Sequence, residues 1–174
     1  MKKIAFGCTI LDRGLSGAGI DGIGHYCHEL LVEHSKFPNG VEILPYCYGT
    51  QNSHSVANTY EYPAYPLHLL KSFSYPSNLT KGSLNFDPIR FADLIHAPDH
   101  LIPFMRDSIN QRGAKTPVVA TIMDVVPISH PQFIKSKFGI FKAKLWQYLA
   151  PRVDHIITIS EFSKFEIAEH MRYP

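Results

Sequence analysis

A glycine-rich stretch lies between the first apolar segment of the sequence and the first segment with helical periodicity. It runs from Gly14 to Tyr26, and its last two glycines, Gly22 and Gly24, adjoin the start of the predicted helix. Glycine lets a backbone approach a phosphate closely, and a helix N-terminus offers unpaired N–H groups and the positive end of the helix dipole. We therefore predict an anion-facing loop around Gly22 and Gly24, with a turn that binds no ligand as the alternative.

The same stretch also fits the dinucleotide-binding fingerprint, as Gly17-x-Gly19-x-x-Gly22. In that fingerprint the first strand runs directly into the first glycine, and the second strand ends in an acidic residue that binds the ribose. Here six or seven residues intervene, and the second predicted strand ends in Tyr48 with Glu42 at its other end. A nicotinamide-dependent oxidoreductase or epimerase domain is therefore the weaker alternative.

Three polar side chains come at or just after the ends of predicted strands: Asp124, His96 and His130. Ligands of a parallel α/β sheet bind at this carboxyl edge. Asp124 could take part in chemistry there, or it could accept backbone N–H bonds in the turn before Pro127. Each histidine could contact substrate or be a structural histidine.

Metal and nucleophile motifs are weak in this sequence. His25 and His28 share a helix face near Cys27, but the sequence has neither H-E-x-x-H nor a C-x-x-C pair. We predict no metal and no cofactor. It has no G-x-S-x-G either, and Ser160 and Ser163 are predicted to begin a helix, with a capping box from Ser163 to Glu166.

The elements that must position these residues alternate between unbroken apolar runs and segments with helical periodicity. Buried strands that alternate with amphipathic helices indicate a parallel sheet covered on both faces. We predict an α/β fold, a Rossmann-like doubly wound parallel sheet with helices on both faces. The predicted strands are 3–9, 41–48, 93–97, 117–123 and 155–159, and the predicted helices are 23–35, 100–112, 132–150 and 160–170.

Length and composition set the limits of this prediction. The chain has 174 residues, of which 45% are hydrophobic, and a formal net charge of +2. These values predict one domain over residues 1–174, and they exclude a disordered chain and a nucleic-acid partner. Residues 49–88, rich in tyrosine and proline, are predicted to be an irregular insertion, either an acceptor-binding rim or a surface excursion. Three cysteines without a C-x-x-C favour the cytoplasm.

The predicted helix over 132–150 is basic and amphipathic. It contains Lys135, Lys137, Lys142 and Lys144, and Arg152 follows it. A helix of this kind can lie on an anionic membrane, so peripheral attachment is one interpretation. The other is a helix that faces the core with a solvated lysine face, with Ile134, Phe138, Phe141, Leu145 and Leu149 in line. No apolar run is long enough to span a bilayer.

Four segments resemble, in order, the N-terminal domain of glycosyltransferase family 4, which has the GT-B fold. They are Gly22-Ile-Gly-His-Tyr, Asp93-Leu-Ile-His-Ala-Pro, Thr116-Pro-Val-Val-Ala-Thr-Ile-Met-Asp-Val-Val-Pro, and Val153-Asp-His-Ile-Ile-Thr-Ile-Ser-Glu-Phe-Ser-Lys. The resemblance implies a retaining glycosyltransferase that moves a hexose from a nucleotide sugar to a glycan or lipid-linked acceptor, without a metal.

In that family the N-terminal domain binds the acceptor and a C-terminal domain binds the donor. The resemblance implies that Gly22 and Gly24 face the donor diphosphate, and that Tyr26 beside them contacts substrate. Because only the first domain is resembled, we expect a fragment that is inactive alone, whose exposed cleft face could associate with a second copy.

One position departs from the family pattern. Met123 stands where the family has a histidine before its aspartate, and a thioether cannot replace the hydrogen bonds of an imidazole. Either the sugar differs, or His96 or His130 substitutes, or activity is lost. The last possibility leaves a non-catalytic carbohydrate-binding or assembly module as a further alternative.

Overall fold

The computed structural model describes residues 1–15, 19–37, 39–46, 92–98 and 116–173. Within these ranges five strands form one parallel sheet in the order β2-β1-β3-β4-β5. The strands are β1 (Lys2–Gly7), β2 (Val41–Tyr46), β3 (Leu94–Ala97), β4 (Val118–Thr121) and β5 (His155–Ile157). The helices are α1 (Thr9–Arg13), α2 (Gly22–Lys36), α3 (Val126–Ser129), α4 (Lys137–Leu149) and α5 (Glu161–Met171).

Alternate residues of β1 point to opposite faces of the sheet, and each face has its own core. Phe6 packs with Cys27 and Leu31 of α2 on one face. Ala5 belongs to the other cluster, which contains Ile167 and Met171 of α5, with Trp146 of α4 packed against it. Helices therefore cover both faces, which confirms the predicted doubly wound α/β fold.

The strand order places a switch of direction at β1. Its neighbours are β2 on one side and β3 on the other. The chain therefore runs from β1 to one edge of the sheet, and after β2 it crosses back to the other side of β1. In open parallel sheets, the crevice outside the carboxyl ends of such neighbouring strands is the usual ligand site. Gly7 ends β1 and Ala97 ends β3, so this crevice begins beside α1 and the start of α2.

Most predicted elements differ from the structure by one to five residues at an end, and two of these differences have a clear local cause. The first strand ends at Gly7 instead of residue 9, because Thr9 already begins the short helix α1. The predicted helix 132–150 begins only at Lys137, after a 3-10 turn over Pro131–Phe133. Ser136 caps α4, since its hydroxyl accepts a hydrogen bond from the Gly139 amide at 3.0 Å.

The orientation of α4 also corrects a prediction. Phe141, expected in line with the apolar face, is 61% exposed, whereas Ala143 is buried and Trp146 packs on the core. Likewise, the cap of α5 is Ser160, which accepts from the Ser163 amide at 3.1 Å, so the predicted capping box at Ser163 is wrong by one turn.

The predicted helix over 100–112 and the predicted insertion over 49–88 lie outside the described residues. In the part of the chain that the structure describes, none of the helices combines the length and the apolar character needed to cross a membrane.

Candidate functional site

The start of α2 is capped by an acidic side chain. Asp21 has extended backbone angles, and its carboxylate accepts a hydrogen bond from the Gly24 amide at 2.8 Å. Its carbonyl accepts from the His25 amide at 2.9 Å. A carboxylate is a favourable partner for the positive end of a helix. The Gly24 amide is thus already bonded to Asp21, and a diphosphate at this helix end would share the space with that carboxylate.

The two candidate glycines differ in what surrounds them. A Cβ at Gly24 would lie 2.8 Å from Ile20 Cγ2 and 3.7 Å from the Leu11 Cα, so this glycine lets α2 pack closely on α1. Gly22 is exposed, and a Cβ there would meet nothing within 4 Å. Packing therefore explains Gly24 but not Gly22. The predicted role of both toward a donor diphosphate stays a prediction.

Tyr26 and His96 are brought together by a third residue, Thr121. The Thr121 hydroxyl lies 2.8 Å from His96 Nε2 and 3.1 Å from the Tyr26 hydroxyl. His96 is in β3, Thr121 is the last residue of β4, and Tyr26 is in the second turn of α2. These three side chains, hereafter the Tyr26–Thr121–His96 cluster, lie between the sheet and α2 at the carboxyl ends of the strands.

Thr121 was not among the predicted site residues. The sequence alone gives no signal for it, because the shared face follows only from the pairing of Val119 with His96, after which alternation along β4 places Thr121 beside His96. The hydroxyl of Thr121 has one proton, so it can donate to only one of its two partners and must accept from the other. The cluster is therefore a short chain of hydrogen bonds that ends at the Tyr26 hydroxyl.

The imidazole of His96 is packed among aromatic rings. It lies edge-on to Phe6 with ring centroids 5.1 Å apart, and to Tyr26 at 6.4 Å. Burial lowers the pKa of His96 to about 4, since the charged form is poorly solvated there. His96 is consequently neutral at pH 7, and the cluster presents polar groups without a formal charge.

Asp124 and Met123 follow Thr121 at the same edge of the sheet. Asp124 is exposed, and its carboxylate accepts a hydrogen bond from the Val126 amide at 3.1 Å, as expected for a residue that forms the turn before Pro127. The predicted role of Asp124 in chemistry stays a prediction. Met123 is partly buried in the same turn.

His130 is not part of the Tyr26–Thr121–His96 cluster. It lies after α3, where its Nδ1 is 2.8 Å from the Ser129 hydroxyl and its ring stacks on Phe133 at 5.7 Å. Both of these contacts are with residues close in sequence, and the predicted contact of His130 with substrate stays a prediction.

Within the described ranges, the candidate metal ligands His25, His28 and Cys27 do not form a group of three. Among the described residues, the one group of three potential ligands is Glu166, Glu169 and His170 on α5, whose ligand atoms lie within 4.8 Å of one another. It contains neither His25 nor His28. These side chains are partly or fully exposed, and such groups are common on surfaces without a metal.

The acidic residue of β2 is not at the ribose position of a dinucleotide site. Glu42 lies near the amino end of β2 and forms an ion pair with Lys3 at 3.2 Å, whereas the strand ends at Tyr46. Within the described strand, the carboxyl end of β2 thus has no carboxylate for a nicotinamide ribose, and the dinucleotide alternative stays the weaker one.

Comparison with known proteins agrees with the four sequence segments and with the sheet. No curated protein and no solved structure matches the chain. The family model described as Glycosyltransferase Family 4 matches residues 20–174. This range includes α2, the whole Tyr26–Thr121–His96 cluster, and Met123 and Asp124 after β4. On this match, together with its parallel sheet, the chain belongs to glycosyltransferase family 4.

Proposed function

We propose that this chain is the acceptor-side domain of a retaining glycosyltransferase that transfers a hexose to a glycan or a lipid-linked acceptor. Membership of the family gives a glycosyltransferase-type function, with a nucleotide sugar and an acceptor as substrates in general. The observation that supports the finer proposal is the Tyr26–Thr121–His96 cluster at the switch point of the sheet. The hydrogen-bond donors and acceptors of this cluster carry no formal charge, and such groups suit the hydroxyl groups of a sugar.

Within this proposal the side chains have separate roles. The Tyr26 hydroxyl contacts a substrate hydroxyl, while His96 orients it through Thr121 and is thus a positioning residue. Asp124, exposed at the same edge, contacts the acceptor near the reacting hydroxyl. Gly22, whose surroundings are open, lets the donor diphosphate approach the N-terminus of α2.

The test is a transfer assay on the full-length protein that contains this chain, with a panel of nucleotide hexoses and detection of the released nucleoside diphosphate. We expect Tyr26→Phe to lower kcat/KM about tenfold, the effect of one lost hydrogen bond in the transition state. Tyr173→Phe is the matched control, because that hydroxyl donates to the Asp154 carbonyl elsewhere in the fold. Equal rates for Tyr26→Phe and the unmodified protein would contradict the assignment.

We further propose that donor binding requires a second domain, as the family resemblance implies. A polypeptide of residues 1–174 should then release no nucleoside diphosphate in the same assay. Sugar transfer by that polypeptide alone would overturn this part of the proposal.

A non-catalytic carbohydrate-binding module is the second candidate, and Met123 is the observation that favours it. Met123 occupies the position of the family histidine, next to the exposed Asp124. If this candidate holds, the full-length protein binds glycans with the same affinity with and without nucleotide, and Met123→His does not introduce transfer.

A further inference from the structure

The outward side of α5 presents large apolar side chains to solvent. The inward side of this helix buries Ser163, Ile167 and Met171. On the outward side, Phe162 is 74% and Phe165 is 70% exposed. Two aromatic rings within one helical turn form an exposed apolar patch, and such patches are typical of protein interfaces.

Four exposed residues follow one another along the middle of this outward side, at spacings of four, three and four. We call them the α5 stripe: Glu161, Phe165, Ala168 and Arg172. Such spacing places side chains in one line along a helix. The acidic residue begins the helix, the basic residue directly follows its last residue, and the two apolar residues lie between them.

The order of the α5 stripe is complementary to the same order in reverse. The midpoint between Glu161 and Arg172 is also the midpoint between Phe165 and Ala168. A two-fold axis through that point, perpendicular to the helix, therefore brings each glutamate opposite the arginine of a second copy, and each phenylalanine opposite its alanine. Opposite charges then meet at both ends, and a large side chain faces a small one in the middle, as close helix packing requires.

The charged ends of the stripe are accessible for such contacts. The Glu161 side chain is 79% exposed and pairs with Lys164 of the same helix at 3.2 Å, but its carboxylate can also accept from a guanidinium. Arg172 is exposed and forms no ion pair with another residue of the described ranges. Its backbone is left-handed, with φ 53°, where glycine is the usual residue at a helix end. Backbone geometry therefore does not explain the arginine.

We propose that α5 is the interface of a homodimer in which the α5 stripes of two copies pack antiparallel. The Arg172 guanidinium of each copy donates to the Glu161 carboxylate of the other, and Phe165 packs against Ala168. The 11 residues of α5 span about 16 Å, which is short for an interface, so we expect a dissociation constant on the order of 10 µM. This inference goes beyond sugar transfer, because it concerns assembly and uses none of the cluster residues.

The charges of this side favour a second copy over a partner of uniform charge. Its exposed positions hold Glu161 and Glu169 against Lys164 and Arg172, so the outward side has no net formal charge. An anionic lipid surface or a nucleic acid would meet as many repelling groups as attracting ones. A second copy in the reverse direction meets an attracting group at each end of the stripe.

The experiment is sedimentation velocity of the full-length protein, from about tenfold below to about tenfold above that dissociation constant. We expect the mass to change from one copy to two across this range. Glu161→Arg and Arg172→Glu should each weaken the dimer more than tenfold, because each variant places like charges together at both ends. An equimolar mixture of the two variants should associate about as strongly as the original protein, because opposite charges then meet again at both ends. Phe165→Ser should weaken the dimer about tenfold, because the ring leaves the interface.

Matched controls come from the other helices. Glu33→Arg tests the change of charge, because Glu33 forms the same kind of i,i+3 pair with Lys36 in α2. Phe141→Ser tests the loss of a ring, because Phe141 on α4 is 61% exposed. Both controls should leave the sedimentation unchanged, with circular dichroism to verify that every variant is folded.

Three outcomes would overturn the proposal. The protein could remain a single copy at every concentration, as it would if another segment of the same polypeptide covered α5. Its dimer could be insensitive to the α5 variants, or the mixture of Glu161→Arg and Arg172→Glu could fail to associate. No sugar nucleotide is present, so a failure here is distinct from a failure of the proposed transfer.

Discussion

At the scale of single residues, Thr121 joins two of the candidate site residues through one hydroxyl group. It is buried, at 4% exposure, and its hydroxyl is the contact that joins His96 in β3 to Tyr26 in α2. The rings of the histidine and the tyrosine meet edge-on, and each side chain has its polar contact with Thr121. The geometry of both candidate site residues therefore depends on one oxygen atom.

Replacing Thr121 with valine keeps the branched shape and removes that oxygen. We expect a loss of about 1–3 kcal/mol in the free energy of unfolding, because His96 Nε2 would lose its partner in a largely buried position. Urea unfolding at pH 7 measures this loss of free energy. Thr158→Val is the matched control, since the Thr158 hydroxyl is buried and bonds to no described group, so its loss should be nearly neutral. Equal losses in the two variants would contradict this account of Thr121.

At the scale of elements, the two glycines at the start of α2 are in different surroundings: Gly24 is packed against Ile20, and Gly22 faces open space. Alanine at Gly24 must displace Ile20 or shift α2 away from α1, since its Cβ would be only 2.8 Å from Ile20 Cγ2. We expect Gly24→Ala to lower the free energy of unfolding by about 1–3 kcal/mol. Gly22→Ala has open space and should be neutral or slightly stabilising.

The pair Gly22→Ala and Gly24→Ala is compared by thermal unfolding. Because Gly24→Ala disturbs packing, lower transfer in that variant would say nothing about diphosphate binding. Gly22→Ala is the informative variant for activity, provided that its melting temperature is unchanged. A Gly24→Ala protein as stable as the original would show that the close contact with Ile20 is not required.

The elements also show which parts of the fold and of the candidate site can be predicted from the sequence. The unbroken apolar strands and the helix at Ile23 were predictable from periodicity alone, because local pattern determines them. The five-residue helix Thr9–Arg13 was not, since it is too short to show a period. The contact of Tyr26 with Thr121, which are 95 residues apart, depends on the order of the strands, and a single sequence does not specify that order.

At the scale of the whole molecule, the buried histidine should make stability depend on pH. In the unfolded chain the imidazole takes up a proton near pH 6.5, whereas in the folded chain the pKa of His96 is about 4. Between these values the unfolded state binds more protons. The free energy of unfolding therefore falls as the pH drops from 6.5 to 4, by up to roughly 3 kcal/mol from this group, and below pH 4 its contribution is constant.

The contribution of His96 is isolated by comparing the unmodified chain with His96→Gln in urea at pH 7, 5.5 and 4. The unmodified chain should lose more stability over this range than the variant, because glutamine does not titrate. Parallel curves for the unmodified chain and His96→Gln would contradict the assignment.

The two faces of the sheet have a further consequence for the acceptor. The Tyr26–Thr121–His96 cluster lies on the face covered by α2, whereas α4 packs on the opposite face through Trp146. Under the proposed function a substrate reaches Tyr26 from the α2 side, because the sheet separates that hydroxyl from α4. The outer side of α4 can therefore change in composition without altering the groups that contact the sugar. Sugar recognition and the surface chemistry of the opposite face are then free to vary independently.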